Sequence, residues 1–185
     1  GTTFISDDAF GHTLTVTGAT WGIQGRTFDG DDVISNTVSD FRSSDSQGTI
    51  MAWVRCNNVT DFRTIFASSD IATDTSFIRF LIKDTSGILH VYQQNANDIL
   101  DSVLGTTNVA DNKWHLVALN SSGSAYTIFV DGISEALTVL SGTNSGDWFA
   151  DTTLRDNITI GAWTRTTSLQ YFLGSIGEVI VYSHT

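Results

Sequence analysis

Residues 77–83 read Phe-Ile-Arg-Phe-Leu-Ile-Lys, and this stretch decides the fold class. In an extended strand alternate side chains point to opposite faces, so its apolar second, fourth and sixth residues share one face while Arg79 and Lys83 point to the other. The pattern predicts a β-strand with one face in the core and one face in water. The following Asp-Thr-Ser-Gly at 84–87 is typical of a tight turn, and the apolar run at 88–93 predicts the second strand of a hairpin.

The same kind of pattern continues along the whole chain, where short apolar or alternating runs are separated by Gly, Asn, Asp and Ser and helical periodicity is nearly absent. The predicted strands are 13–17, 49–55, 64–67, 77–83, 88–93, 99–103, 114–120, 125–130, 136–140, 157–160 and 169–182, the last one interrupted at Gly174. Residues 121–123 and 131–132 predict further hairpin turns. Because a single open sheet of so many strands would leave an apolar face uncovered, we expect an all-β, two-sheet antiparallel β-sandwich of the jelly-roll type.

Composition limits the partners and the setting of the protein. The 185 residues suit one domain, 1–185, which we expect to be excised from a longer protein. A net charge of -11 opposes polyanions, so nucleic acid is not an expected partner. No apolar run approaches the roughly 18 residues of a spanning helix, so membrane insertion is not expected. Cys56 is the single cysteine and cannot form an internal disulfide.

Four segments in a fixed order point to a family. They read Gly-Arg-Thr-Phe-Asp-Gly at 25–30, Gly-Thr-Ile-Met-Ala-Trp-Val at 48–54, Lys-Trp-His-Leu-Val-Ala at 113–118 with Ile-Phe-Val-Asp-Gly at 128–132, and Ile-Thr-Ile-Gly at 158–161 with Phe-Leu-Gly-Ser-Ile-Gly-Glu-Val at 172–179. As a set over residues 10–182 they resemble the LamG-like jelly-roll branch of the concanavalin A-like lectin/glucanase superfamily. The resemblance implies an extracellular or surface-associated protein that binds glycans or other proteins.

The resemblance also implies a structural calcium ion beside the Phe-Asp-Gly turn at 28–30. Calcium prefers oxygen ligands, and the acidic loop offers several, so the candidate ligands are Asp29, Gly30 and Asp31. Members of this branch usually carry an Asp at the position of Gly177, and Glu178 is the candidate replacement. The alternative that these Asp residues only form a turn stays open.

Hydrolysis is the weakest functional hypothesis. Glucanases of this fold use a carboxylate pair in a Glu-x-Asp-x-x-Glu strand motif, which this chain lacks. Its two glutamates, Glu135 and Glu178, lie in different predicted strands, whereas retaining hydrolysis needs two carboxyl groups about 5–5.5 Å apart. We therefore expect a protein that is not an enzyme.

Aromatic side chains in polar loops suggest non-catalytic carbohydrate recognition, because sugars bind to aromatic faces flanked by polar groups. The candidate ligand-binding residues are Trp148, Trp163, Arg165, Tyr92, Asn95 and Asn97. Each loop tryptophan could instead cover an edge of the sandwich, whereas Trp53, inside an apolar strand, is expected in the core. A structural or protein-interaction module of a surface or phage protein remains the alternative function.

Overall fold

The computed structural model describes residues 1–7, 10–39, 41–96 and 98–184. Across these ranges the chain forms short strands and one 3-10 turn at Phe149–Asp151. The strands are β1 Thr3–Ile5, β2 Thr13–Thr17, β3 Thr20–Gly22, β4 Gly25–Asp29, β5 Val33–Thr37, β6 Gly48–Cys56, β7 Arg63–Ser69, β8 Phe77–Ile82, β9 Ile88–Asn95, β10 Asp98–Asn108, β11 His115–Ser121, β12 Tyr126–Val130, β13 Ile133–Ser134, β14 Thr138–Gly142, β15 Asn157–Ile160, β16 Trp163–Thr164, β17 Ser168–Leu169 and β18 Leu173–Ser183.

Two antiparallel sheets make up the sandwich, and this arrangement confirms the predicted jelly-roll class. In the described part of the chain one sheet has nine strands in the order β1-β2-β5-β15-β7-β8-β9-β10-β14, and the other has seven in the order β13-β12-β11-β6-β18-β4-β3. A separate hairpin pairs β16 with β17. Among the described residues, none of the helical structure is long and apolar enough to cross a membrane.

The core lies between the two sheets and follows the alternation in the sequence. Ile78, Phe80 and Ile82 of β8 are fully buried, as are Ile50 and Val54 of β6 on the opposite sheet. Burial of these side chains from both sheets supplies the main favourable free energy of folding. The predicted turns at 84–87 and 131–132 are confirmed, with positive φ angles at Thr85, Gly87, Asp131 and Gly132.

Three expectations about strands were wrong. The predicted strand 169–182 is interrupted at residues 170–172, between β17 and β18, and not at Gly174. A Cβ at Gly174 would collide with the carbonyl of Arg55, so this glycine permits a close strand approach. Trp53 is 44% exposed, because its neighbours Ala52 and Val54 take the core-facing positions of β6. The expected wet face of β8 is covered, since Arg79 is only 4% exposed. Alternation shows that a residue faces away from the core, not whether another segment folds over it.

Cys56 is the last residue of β6 and lies in the core. It is 1% exposed, its Sγ donates to the carbonyl of Asn58 at 3.3 Å, and burial raises the pKa of the thiol. A thiol in this state is a small core side chain of low reactivity.

Candidate ligand-binding cleft

The outer face of the nine-stranded sheet carries a cluster separate from the main core. Strand register puts Arg79 of β8 between Tyr92 of β9 and Ala67 of β7. Ala67 is small, so the β16–β17 hairpin can approach this face, and Trp163 packs against Ala67 and Phe77. The sheet therefore provides a rigid base, and the hairpin provides the cover.

Three aromatic rings surround the guanidinium of Arg79. Its Cζ lies 4.0 Å from the ring centre of Trp163, 4.9 Å from that of Phe77 and 5.2 Å from that of Tyr92. Phe77 also meets Trp163 and Tyr92 edge to face, with ring centres 4.8 and 5.1 Å apart. These distances are in the range of cation–π contacts, which strengthen when the cation is desolvated.

An open cleft of about 430 Å³ lies at this cluster. Its lining combines rings with polar groups and consists of Phe62, Asp74, Phe77, Arg79, His90, Tyr92, Gln94, Trp163 and Gln170. We call it the Arg79 cleft. Its volume and its mixture of aromatic surface with a few polar groups are typical of small-molecule sites.

His90 is the neutral member of the Arg79 cleft. Its ring stacks on Tyr92 with ring centres 5.8 Å apart, and its Nε2 lies 2.9 Å from the hydroxyl of Ser102. Burial lowers the pKa of His90 to about 3, and the charges of Arg79 and Lys83 act in the same direction. Its Nδ1 is enclosed and has no hydrogen-bond partner within the described residues.

Three of the predicted ligand-binding residues lie together here. Trp163 and Tyr92 line the Arg79 cleft, and Arg165 lies beside it, with its Cζ 4.8 Å from the Trp163 ring centre and an ion pair to Asp74. Sequence reasoning did not select Arg79 as a site residue. The available signal was an arginine facing away from the core on a strand that is otherwise apolar.

Trp148 requires a correction, because its side chain is fully buried in the main core. Its amide donates to Asp151 Oδ2 at 2.7 Å, and its carbonyl accepts from Gln93 Nε2 at 2.8 Å. These bonds hold the segment around Trp148 against β9. An indole without an exposed face cannot stack on a sugar.

Asn95 is not among the described residues that line the Arg79 cleft. Asn95 Oδ1 accepts from the amide and hydroxyl of Thr153 at 3.0 and 2.9 Å, so this side chain fastens the loop to β9. Asn97 lies outside the described residues.

An acidic cluster lies at the end of β4, at a different place from the Arg79 cleft. Carboxylate oxygens of Asp29, Asp31 and Asp32 lie within 4.8 Å of one another. A hydrogen bond with Asp29, together with its charge, raises the pKa of Asp31, and burial raises the pKa of Asp32. Crowded carboxylates of this kind suit a hard cation that prefers oxygen ligands, and Gly30 adopts the turn with φ +109.

Glu178 does not belong to that cluster. Asp29 pairs with Leu173 in the β4–β18 ladder and Arg26 pairs with Ile176, so the strand carries the exposed Glu178 further away from Asp29. The expectation that Glu178 replaces the missing family carboxylate is therefore wrong, because the register separates the two positions.

Comparison with solved structures places the fold among carbohydrate-binding modules and laminin domains. The carbohydrate-binding module CBM40 of the Ruminococcus gnavus IT-sialidase is 17% identical with a TM-score of 0.66, covering 92% of this chain and 93% of that one. Domain 4 of the Geobacillus stearothermophilus arabinanase AbnA is 14% identical with a TM-score of 0.59, covering 99% and 76%. The mouse laminin α1 LG4-5 domains are 16% identical with a TM-score of 0.57, covering 87% and 42%.

Sequence comparison identifies the family of the protein but no curated relative. A search of curated protein sequences gives no significant match. The family model Laminin_G_3 matches residues 28–185, most of the chain. The protein therefore belongs to the Laminin_G_3 family of the concanavalin A-like lectin/glucanase superfamily.

Proposed function

We propose that the protein is a non-catalytic carbohydrate-binding module that holds a sugar in the Arg79 cleft. The proposal rests on one observation: a single open cleft on a rigid sheet brings aromatic rings and polar groups together. The rings are those of Trp163, Tyr92 and Phe77, and the polar groups are those of Arg79 and Gln170. Aromatic surface packs on the apolar face of a sugar ring, while charged and amide groups bond its hydroxyls.

Two further observations support this function over hydrolysis. Among the described residues that line the cleft, Asp74 is the one carboxylate, and it forms an ion pair with Arg165. A glycosidase needs a second carboxyl group across the scissile bond. The R. gnavus module has been solved with sialyllactose and the arabinanase domain with arabinotriose, which favours a glycan ligand and an extracellular or surface location for this chain as well.

Glycan screening followed by calorimetry tests the proposal. We expect the purified chain to bind at least one glycan, and Trp163→Ala and Tyr92→Ala to weaken that binding at least ten-fold. Trp53→Ala is the matched control, because Trp53 is 44% exposed on the other sheet and should leave affinity unchanged. A folded protein that binds no glycan, or cleft variants that bind like the wild type, would overturn the proposal.

We also propose that Asp29, Asp31 and Asp32 hold a structural calcium ion. The ion would neutralise the three carboxylates and stabilise the turn after β4, while water and backbone carbonyls complete its coordination. Glu178 is not part of this set.

The second candidate function is protein docking through the outer face of the seven-stranded sheet. Trp53, Ile133 and Tyr182 are 44%, 71% and 50% exposed there. A neighbouring cleft of about 450 Å³ is lined by Thr49, Met51, Leu116, Ala118, Asn120, Phe129 and Gly132. Exposed apolar patches mark interaction surfaces. Sedimentation over a range of concentrations tests self-association through this face. A dimer that dissociates in the Phe129→Lys variant favours docking, and a monomer at every concentration argues against it.

A further inference from the structure

The Arg79 guanidinium is a buried cation without an anion. Arg79 is 4% exposed, and within the described part of the chain no carboxylate forms an ion pair with it. Its Nη1 donates to the neutral amide oxygen of Gln170, its Nε has no partner among the described residues, and its Nη2 bonds none of them. The centres of three aromatic rings lie within 5.2 Å of its Cζ.

Three other arginines in the described part of the chain are buried, and Arg26 among them has one oxygen acceptor, the carbonyl of Ala19, beside the rings of Phe4 and Trp21. The remaining two show how this chain satisfies a structural guanidinium with oxygen acceptors. Arg63 and Arg155 are 7% and 6% exposed, and all three nitrogens of each donate to oxygen atoms. For Arg63 the acceptors are Asn58 O, Tyr171 O and Asn58 Oδ1, and for Arg155 they are Thr152 O, Ser68 Oγ and Phe149 O. Unlike Arg63 and Arg155, Arg79 has a single oxygen acceptor among the described residues, on Gln170. Of these three arginines, Arg79 is the one that lines an open cleft.

The surrounding charges leave the cleft locally positive. Burial lowers the pKa of Arg79 to about 9, and the charge of Arg165 acts in the same direction, yet the guanidinium stays protonated at neutral pH. Asp74 is paired with Arg165 and Lys83 with Asp84, so neither acid neutralises Arg79. The cleft therefore attracts an anion although the whole chain carries a charge of -11.

We propose that the Arg79 cleft takes a sugar that carries a carboxylate, and that Arg79 donates hydrogen bonds to this group. The inference rests on the proposed carbohydrate-binding function and names its ligand class. A planar guanidinium matches a planar carboxylate, and charge-assisted bonds of this kind are about twice as strong as neutral ones. Tyr92, the partly exposed ring of the cleft, then provides the main surface for the sugar ring, beside Trp163.

Paired ligands that differ only in the charge of the carboxylate test the inference on the wild-type chain. Sialyllactose is compared with its sialic acid methyl ester, and a galacturonic acid trisaccharide with its methyl ester, by calorimetry. We expect one acidic member to bind at least ten-fold more tightly than its neutral partner, and the pair that responds tells a sialic acid from a uronic acid. Equal binding within both pairs would overturn the acidic ligand while the carbohydrate-binding function stands, whereas no binding of any glycan overturns both.

Substitutions of Arg79 identify the group responsible. Arg79→Met should abolish the preference for the acidic sugar. Arg79→Lys keeps the charge but loses the planar, bidentate arrangement of donors, and it should weaken this preference about ten-fold. Because removing an unpaired buried charge relieves desolvation, Arg79→Met should melt at or above the wild-type temperature, while the control Arg155→Met should melt lower. An acidic preference that survives Arg79→Met would contradict the assignment, and the ligand pairs remain decisive if a variant does not fold.

Discussion

Two tryptophans from turn-rich segments occupy opposite environments. Trp148 is fully enclosed between the sheets, whereas Trp163 is 7% exposed and covers a charged group on the outer face. The Trp148 amide donates to Asp151 and its carbonyl accepts from Gln93, and these bonds hold the backbone of Trp148 inward. Trp148 therefore contributes to stability, and Trp163 to the cleft.

Truncation of Trp148 should act on folding alone. Trp148→Ala removes a large buried ring and should lower the free energy of unfolding by about 3–5 kcal/mol. Urea unfolding measures this loss, and calorimetry on the folded variant should give wild-type glycan affinity. A stable Trp148→Ala protein that no longer binds glycans would restore Trp148 as a ligand residue.

Acid should destabilise the protein through His90. The pKa of His90 is lowered to about 3 by burial, and an unfolded histidine keeps an ordinary value near 6.5. Between these values the unfolded chain binds the extra proton, so stability falls as the pH drops from about 6.5 toward 3, by at most about 1.4 kcal/mol per pH unit. The difference between the urea midpoints measured at pH 7 and at pH 4.5 should be smaller in His90→Gln than in the wild type.

His115 supplies a control of opposite sign for that experiment. Burial lowers its pKa, but hydrogen bonds to Asp131 and Asp111 outweigh this effect and leave the pKa raised. A raised pKa contributes stability that is fully present below the unfolded value and is lost as the pH rises through the folded value. His115→Gln should therefore make the protein more sensitive to acid, and the same response from both variants would contradict the assignment to His90.

At the level of elements, the β16–β17 hairpin is held by few bonds. Ser69 Oγ donates to the carbonyl of Thr164 at 2.5 Å, Asn157 Nδ2 donates to the same carbonyl at 3.2 Å, and the hydroxyls of Thr164 and Ser168 lie 2.9 Å apart. These bonds, together with the packing of Trp163, keep the hairpin over Arg79. The shape of the cleft depends on them.

Removal of one anchor should loosen the hairpin selectively. Ser69→Ala deletes the bond to Thr164 and should lower stability by about 1–2 kcal/mol, while amide exchange accelerates within residues 163–169 and glycan affinity falls a few-fold. Hydrogen-exchange mass spectrometry measures this change. Ser121→Ala is the control, because Ser121 Oγ bonds the carbonyl of Gly146 and should affect the loop at 143–147 instead. Faster exchange throughout the sandwich would contradict a local anchor.

Regular alternation made the long strands predictable from sequence. Strands β6, β8, β11 and β12 lie close to their expected positions because each buries one face between the sheets. Strands of two or three residues, such as β3 and β16, carry too little pattern to detect and depend on their neighbours.

The candidate site was only partly predictable. Tyr92 and Trp163 were selected for their chemistry, and they do line the cleft. Arg79 was missed because no local pattern shows that a hairpin from far along the chain folds over it. The register that separates Glu178 from Asp29 is likewise a property of strand pairing and not of either segment alone.

For the whole molecule, charge is the dominant global property. The chain has a net charge of -11, and the cluster of Asp29, Asp31 and Asp32 concentrates part of it at one turn. Like charges held close together destabilise the folded state, and a bound cation would remove this repulsion.

Calcium should therefore stabilise the protein. At millimolar calcium we expect the melting temperature to rise by a few degrees, because a ligand of the folded state shifts unfolding by mass action. Asp31→Asn is the preferred variant, since Asp31 is exposed and its loss should remove the response without disturbing the core. Differential scanning calorimetry with calcium, magnesium and a chelator measures the effect. An unchanged melting temperature in calcium would show that the three aspartates form only a turn.

The enclosed thiol of Cys56 makes the chain suitable for site-specific labelling. Cys56 is the single cysteine, is 1% exposed and has a raised pKa, so maleimide reagents should leave it unmodified in the native protein. A cysteine placed at the exposed Thr166, between β16 and β17, would then be the one reactive position. An environment-sensitive fluorophore attached there, beside the Arg79 cleft, would convert the protein into a reagentless optical sensor for the proposed sugar ligand.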